Sequence, residues 1–248
     1  MRLVKEVAVR LWLPAALIAA WVIGVQIQQS PFFPSPFVIA EHFQENWLFA
    51  RFVSDVVPSL ITVMGGYGIA VVVGVTVGIV LGLMPKVEWI IDPVAQFMRS
   101  LPALAIIPLV LVIGGIGLGS KLFLVALGAF WPILLNTTDG VRSIEPELRR
   151  MSSVYRIPLG IRLFRIVIPG ALPQIMAGMR VSLAIAFVLV VGSELYASSS
   201  GIGFFILQAQ QSFAIADMWS GIVLLGILGY IFSAALSAVE RKVLYWNR

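Results

Sequence analysis

Six apolar runs alternate with short polar connections along this chain, near 11–28, 58–84, 101–118, 121–136, 172–195 and 219–239. A helix needs about 20 apolar residues to cross a hydrocarbon core of roughly 30 Å. Strands with strict apolar-polar alternation, the mark of a membrane barrel, are absent from the pattern. In lipid every backbone polar group must be satisfied internally, which leaves a helical bundle. The pattern therefore predicts an all-α integral membrane protein with six transmembrane helices. Gly114, Gly115, Gly117 and Gly119 crowd the turn between the third and fourth runs. The connection 30–58 opens with Pro31, Pro34 and Pro36 among Phe32, Phe33 and Phe37. It predicts an irregular start at the membrane interface, then a short surface helix from about 39 to 50.

Composition agrees with this reading: the chain is 60% hydrophobic and 12% charged, against roughly 25% charged in a soluble domain. The charges are also unevenly placed. Of seventeen Lys and Arg, all but Arg51 and Lys121 fall on one side of a six-span arrangement. The positive-inside rule makes that side cytoplasmic. Both termini, the loop at 84–99 and the loop at 140–170 are thus expected in the cytoplasm. The net charge of +5 belongs to this asymmetry, and a nucleic-acid partner is not indicated. The N-terminus has a basic start and an apolar core, but no small-residue cleavage site follows at Gln26–Pro31. It reads as a retained first span.

The loop between the fourth and fifth runs is the densest polar stretch. Arg142, Arg149, Arg150, Arg156, Arg162 and Arg165 share it with Glu145 and Glu147. Residues 147–155 suit a short helix with Pro146 at its start, where a missing N–H costs nothing. Leu148, Met151 and Tyr155 fall at helical spacing and give one apolar stripe. Two readings stay open here: a solvated positive-inside loop, or an element that docks a cytoplasmic partner.

Catalytic patterns are missing. No Gly-rich phosphate loop ending in Lys-Ser or Lys-Thr occurs, and there is no cysteine for a disulfide, thiolate metal site or thiol nucleophile. The single histidine, His42, sits beside Glu41 and reads as a surface residue. Polar residues within the runs are expensive in lipid and mark cavities or partners. Asn136 to Asp139 at the end of the fourth run, Ser182 in the fifth and Glu194 at its far end are the candidates. Glu194 has two readings: a pathway group, or a carboxylate making a helix-end hydrogen bond.

From about residue 58 onward the chain resembles the inner-membrane permease subunit of bacterial ABC importers, in the branch serving nitrate, taurine, alkanesulfonates and related small anions. The resemblance rests on phrases in a fixed order. They are Ser59-Leu60 with Gly68 and Val77-Gly78, then Arg99-Ser100-Leu101-Pro102-Ala103 and Ile107-Pro108-Leu109. Next come Pro132 to Gly140, then Pro169-Gly170-Ala171-Leu172-Pro173 with Gly178-Met179-Arg180. Glu194, the turn Ser200-Gly201-Ile202-Gly203 and the tail from Glu240 to Trp246 complete it.

The resemblance implies one permease domain over 1–248: a first span and outer connection at 1–57, a five-helix core at 58–239, and a cytoplasmic coupling loop at 140–170. It implies a multi-pass protein of the bacterial inner membrane that is not itself an enzyme. A cytoplasmic ABC ATPase dimer would use ATP and Mg, with no cofactor bound by this chain. An extracytoplasmic binding protein would deliver the cargo. A second permease subunit would complete the passage, a homodimer being favoured over a heterodimer. The coupling residues it implies are Glu147, Leu148, Met151, Ser152, Tyr155, Arg156, Pro158, Gly160 and Pro169. Asn136, Ser182, Glu194, Gly201 and Gly203 would belong to the pathway or its gate.

The chain departs from the family pattern inside the loop. Arg150 stands where glutamate is usual, Met151 and Ser152 where small residues follow, and Arg156 where a glycine is usual. The turn that this glycine permits is therefore expected to form differently. Two other classes remain as alternatives, an ion-coupled secondary transporter and a non-transporting membrane scaffold. ATPase activity that depends on this chain and rises with a loaded binding protein separates all three.

Overall fold

A computed structural model describes residues 2–28, 30–196 and 198–245. Among them the fold is helical throughout, with no strand. The helices are α1 (Arg2–Gln28), α2 (Pro36–Gln44), α3 (Val57–Leu83), α4 (Pro85–Ser100), α5 (Ile107–Gly114), α6 (Leu118–Arg142), α7 (Pro146–Val154), α8 (Leu159–Arg162), α9 (Ile168–Tyr196), α10 (Ile202–Gln211) and α11 (Ile215–Val243). Proline and glycine set many of the boundaries. Met84 leaves helical geometry just before Pro85, and Leu101 is extended before Pro102, as residues preceding proline tend to be. Gly115, at φ +74°, ends α5.

Four helical stretches are long and apolar enough to cross a membrane: Phe52–Leu83, Leu118–Arg142, Leu159–Tyr196 and Ile215–Val243. The first begins as a π-helical turn, Phe52–Val56, that runs into α3, and the third passes from α8 through a π-helical turn, Leu163–Val167, into α9. The third sequence-predicted span, 101–118, is not one continuous helix. Trp89–Met98 and Ala103–Gly114 meet at 86° and together make up one bent apolar segment. Pro102 accounts for the break, because it removes a backbone donor and pushes Leu101 out of helical geometry. The fourth span is longer than predicted, so Asn136 to Asp139 lie inside α6 rather than at its exit.

The core is built by α3, α6 and α9. Gly66, Gly74, Gly78 and Gly82 of α3 lie against Val125, Ile133, Thr137 and Val141 of α6 at a constant offset in sequence. A constant offset in one sense means that the two helices run parallel. At Gly78 a Cβ would stand 2.6 Å from Thr137 Cβ and 2.8 Å from the Leu134 carbonyl oxygen. Only a missing side chain permits that approach, the packing mode of small-residue stripes in membrane helices. In contrast, α9 is antiparallel to α6: Gly140 meets Ala171, Asn136 meets Gly178, and Ser182 donates to the Ala129 carbonyl at 2.7 Å. The last helix, α11, turns back along α9 through the Phe187–Phe232 ring contact and the Arg180–Glu240 ion pair.

Parallel packing of α3 and α6 has a topological consequence. The chain leaves α3 at one end of the bundle and enters α6 at the other. The segment 84–117 must return it along the bundle, and α4 and α5 do so. Met98 and Leu101 reach the level of Leu127 and Trp131, and Gly114 lies beside Ser120 near the start of α6. The end holding Gly82, Arg142 and the loop before α9 is called the inner end below, and the opposite one the outer end.

A second cluster caps the outer end. Trp47, Val56, Ile202, Phe205 and Leu224 pack together there. Trp47 stacks edge-on against Phe205 at 4.7 Å and donates its Nε1–H to Ser220 Oγ at 3.1 Å. The expected surface helix at 39–50 starts earlier, at Pro36 behind the Ser35 cap, and continues past Gln44 as a π-helical turn.

Candidate functional site

Polar chemistry gathers at the two ends of the bundle. At the inner end, α7 starts at Pro146 and stops at Tyr155, as the spacing predicts. Its inward face carries Ser152, which is buried. Leu148, Met151, Val154 and Tyr155 are all exposed on its other faces, and Leu159, Ile161 and Phe164 continue the exposed apolar surface beyond it. No described residue of the chain covers these side chains. Glu147, Arg156, Pro158 and Gly160 are exposed around them, and Pro169 is half-buried at the foot of α9.

Arg156 corrects an expectation. Its φ is +48°, in the left-handed region that favours glycine. The turn after α7 therefore forms in the usual left-handed way, with an arginine in place of the glycine. Tyr155 N–H bonds back to the Met151 carbonyl at 3.0 Å, and Ile157 N–H to that of Ser152 at 3.0 Å. These bonds close the helix end and hold residue 156 where a side chain costs roughly a kcal/mol.

At the outer end two buried carboxylates face the first turn of α10. Glu194 is 1% exposed and Asp55 3%. Gly201 N–H donates to Asp55 Oδ1 at 3.0 Å, Ile202 N–H to Ser59 Oγ at 3.0 Å, and Gly203 N–H to Glu194 Oε2 at 2.8 Å. The Ser59 hydroxyl lies 2.6 Å from Glu194 Oε1, to which it donates. Helix N-termini leave their first amides unsatisfied and carry partial positive charge. Two acids and a serine from three separate elements supply both needs here. Around them, Arg51 Nη1 stands 3.6 Å from Asp55 Oδ2, and Lys121 Nζ donates to Ser198 Oγ at 2.6 Å. Gly201 has φ +118°, and a Cβ on it would sit 2.4 Å from Glu194 Cδ.

The other sequence-predicted pathway residues lie at helix seams. Ser182 is fully enclosed between α9 and α6. Asn136 donates to the Pro132 carbonyl of its own helix at 2.8 Å, with its Cβ close against Gly178. Gly203 is buried beside Glu194. Sequence reasoning joined Glu194 to the 200–203 turn but missed Asp55 and Lys121. The signal for Asp55 was present: an acid one turn ahead of Pro58, on the edge of an apolar run. His42 was read as a surface residue. Its Nδ1 instead lies 2.7 Å from Asp217 Oδ1, which also accepts from Asn46 Nδ2 at 2.8 Å, and this ties α2 to the start of α11. Among the described residues no three His, Asp or Glu are grouped to hold a metal ion.

The sequence profile of the binding-protein-dependent transport system inner membrane component matches residues 70–245. Three curated proteins are similar along much of their length. A protein described as an aliphatic sulfonates transport permease, SsuC of Bacillus subtilis, is 32% identical over 96% of this chain and 87% of its own. The taurine transport system permease TauC of Escherichia coli is 29% identical over 98% and 91%. The bicarbonate transport system permease CmpB of Synechococcus elongatus is 32% identical over 76% and 68%. A chain of the inward-facing MetNI methionine ABC transporter superposes with TM-score 0.64 at 22% identity, over 76% of this chain and 94% of that one.

Proposed function

The chain belongs to the binding-protein-dependent transport system inner membrane components and is the permease subunit of an ABC importer, and from that premise we propose how it is arranged and what it carries. It crosses the membrane six times: α1, α3, the bent α4–α5 segment, α6, α9 and α11. Both termini and α7 lie in the cytoplasm. The parallel run of α3 and α6 supports this count, since it requires a return crossing between them. The charge asymmetry supports the orientation. Single cysteines at Ser143 and Ser212, which stand at opposite ends of the bundle, are expected to label from opposite sides with a membrane-impermeant maleimide. Labelling from the same side removes one crossing.

Its α7 is the coupling helix of the assembly. The observation that carries this is the exposed apolar surface of Leu148, Met151 and Tyr155 on a short charged helix at the inner end. Such a surface is unfavourable in water and suits a groove in a cytoplasmic ATPase, where ATP and Mg are used. An aspartate at Leu148 or Tyr155 would bury a charge in that groove. Each of Leu148→Asp and Tyr155→Asp is therefore expected to lower recovery of the co-expressed ATPase by about tenfold or more on purification, while the permease still inserts. Undiminished recovery with full transport in both variants sinks the assignment.

Two permease subunits pair, a homodimer being favoured, and an extracytoplasmic binding protein docks at the outer end. The cargo is a small oxoanion of the sulfonate, taurine or bicarbonate kind, a reading supported by the names of three relatives. Within this arrangement Glu194 braces the 198–203 turn, and the outer gate is the α9–α10 junction that it holds.

A further inference from the structure

A groove of about 620 Å³ runs along the side of the bundle between α9 and α11. Leu183, Phe187 and Val191 line it from α9, and Leu225 and Gly229 from α11. These α9 positions recur at helical spacing and form one continuous face, and that face begins at Arg180. Apart from Arg180 and Ser233, everything lining the groove is apolar. The other large groove, about 640 Å³ between the α4–α5 segment and α6, is lined by no charged side chain.

Arg180 is the only basic residue of α9. At 1.5 Å per residue it lies about 12 Å beyond the start of the apolar run at 172. A cation set that far into a membrane helix is costly unless it faces a cavity or a counter-charge. Arg180 has both. Its guanidinium is ion-paired with Glu240 in the last turn of α11, yet the side chain lines the groove and remains 54% exposed. A pair fully sealed in the core would leave no donor free. Here the five-donor fork has room for a second acceptor.

We infer that Arg180 is a direct contact for the cargo: an oxoanion moving along the groove takes the guanidinium from Glu240. This rests on the reading of the cargo as a small anion. A planar fork matches the oxygens of a sulfonate, carboxylate or bicarbonate. The exchange also keeps the cation paired at every stage, which avoids the large cost of a lone charge in a dry site. Glu240, once released, stands in the last turn of α11 with its side chain 24% exposed.

The test uses the complete transporter, with its ATPase and binding protein, in proteoliposomes. Uptake of radiolabelled taurine, methanesulfonate, bicarbonate and, as a control with no oxoanion group, glucose is measured at saturating binding protein. The wild type is expected to carry at least one of the anions. A charged hydrogen bond to the cargo is worth a factor of roughly ten to a hundred, so Arg180→Gln is expected to lower that uptake by about that much. Arg180→Lys keeps the charge and is expected to recover part of it. The double variant Arg180→Gln/Glu240→Gln removes both charges together, and a thermal midpoint kept at the wild-type value shows that the bracing of α9 on α11 survives in it. Its uptake is expected to stay as low as that of Arg180→Gln. Wild-type uptake in the double variant shows that Arg180 only braces the helices and overturns the inference. A wild type that carries none of the oxoanion-bearing solutes overturns the anion reading and the inference together. Anion uptake by the wild type with undiminished uptake by Arg180→Gln overturns the inference alone.

Discussion

Gly201→Ala is expected to abolish recovery of folded protein, or to lower its thermal midpoint in detergent by more than any other alanine substitution near the outer end. Two costs add at this position. The backbone holds φ +118°, which side chains rarely adopt, and the new Cβ would meet Glu194 Cδ at 2.4 Å. That distance cannot be met without moving the carboxylate, and the carboxylate is fixed by Ser59 and Gly203 N–H. Moving it leaves a buried amide unsatisfied, a penalty of about 1–3 kcal/mol on top of the strain. Glu194→Ala is expected to lose a comparable amount through the orphaned Gly203 N–H and an empty volume.

Glu194→Gln should behave differently. A glutamine oxygen accepts from Gly203 N–H as before, and its amino group donates to Ser59 Oγ. The serine proton then turns to the Asp55 carbonyl, already 3.1 Å away. What remains lost is the negative charge at the N-terminus of α10, worth about 0.3–2 kcal/mol. The brace reading therefore expects Glu194→Gln to keep most stability and most transport, with Glu194→Ala losing both together. A stable Glu194→Gln that no longer transports returns Glu194 to the pathway. Thermal midpoints by fluorescence-detected size exclusion, set beside uptake rates, separate the two.

The second large effect lies in the seam of the core. Gly78→Leu is expected to unfold the protein or prevent its accumulation, and Gly78→Ala to destabilise it by about 1–3 kcal/mol, the usual cost of overpacking. A Cβ at Gly78 meets the Leu134 carbonyl oxygen at 2.8 Å, which is backbone and cannot rotate away. The helices would have to part along their whole contact. Gly68 supplies the control: a Cβ there has nothing within 4 Å. Gly68→Ala is expected to leave the midpoint within a degree or two. Equal shifts in the two variants would mean that the parallel α3–α6 register is wrong, and with it the return crossing of 84–117.

Sequence patterning located the long helices because their apolar runs exceed what any soluble helix shows. It also located α7, because Pro146 and the Leu148-Met151-Tyr155 spacing act within two turns. What it missed depends on contacts between distant parts of the chain. Asp55 and Glu194 are far apart in sequence, and only the fold brings them to the Gly201 and Gly203 amides at the start of α10. The pairing of His42 with Asp217 is of the same kind. The sequence reading took 101–118 as one span and 84–99 as a cytoplasmic loop, whereas residues 85–100 form α4 and share a bent apolar segment with α5, because hydropathy sums composition and ignores direction. Pro102 was visible, but a proline in an apolar run is compatible with a kinked helix as well as a break. Arg180 was counted as one more cytoplasmic charge, since its place in the groove depends on where α11 packs.

Arg156 shows what a motif stands for. The position after α7 asks for a torsion angle, and glycine is the side chain that supplies it most cheaply. This chain meets the same geometric request with an arginine and holds it in place by closing the helix behind it. A search written in letters scores the loop as degenerate. A search written in dihedral angles would find it intact, with a guanidinium added to the surface where most versions of the turn would present bare backbone.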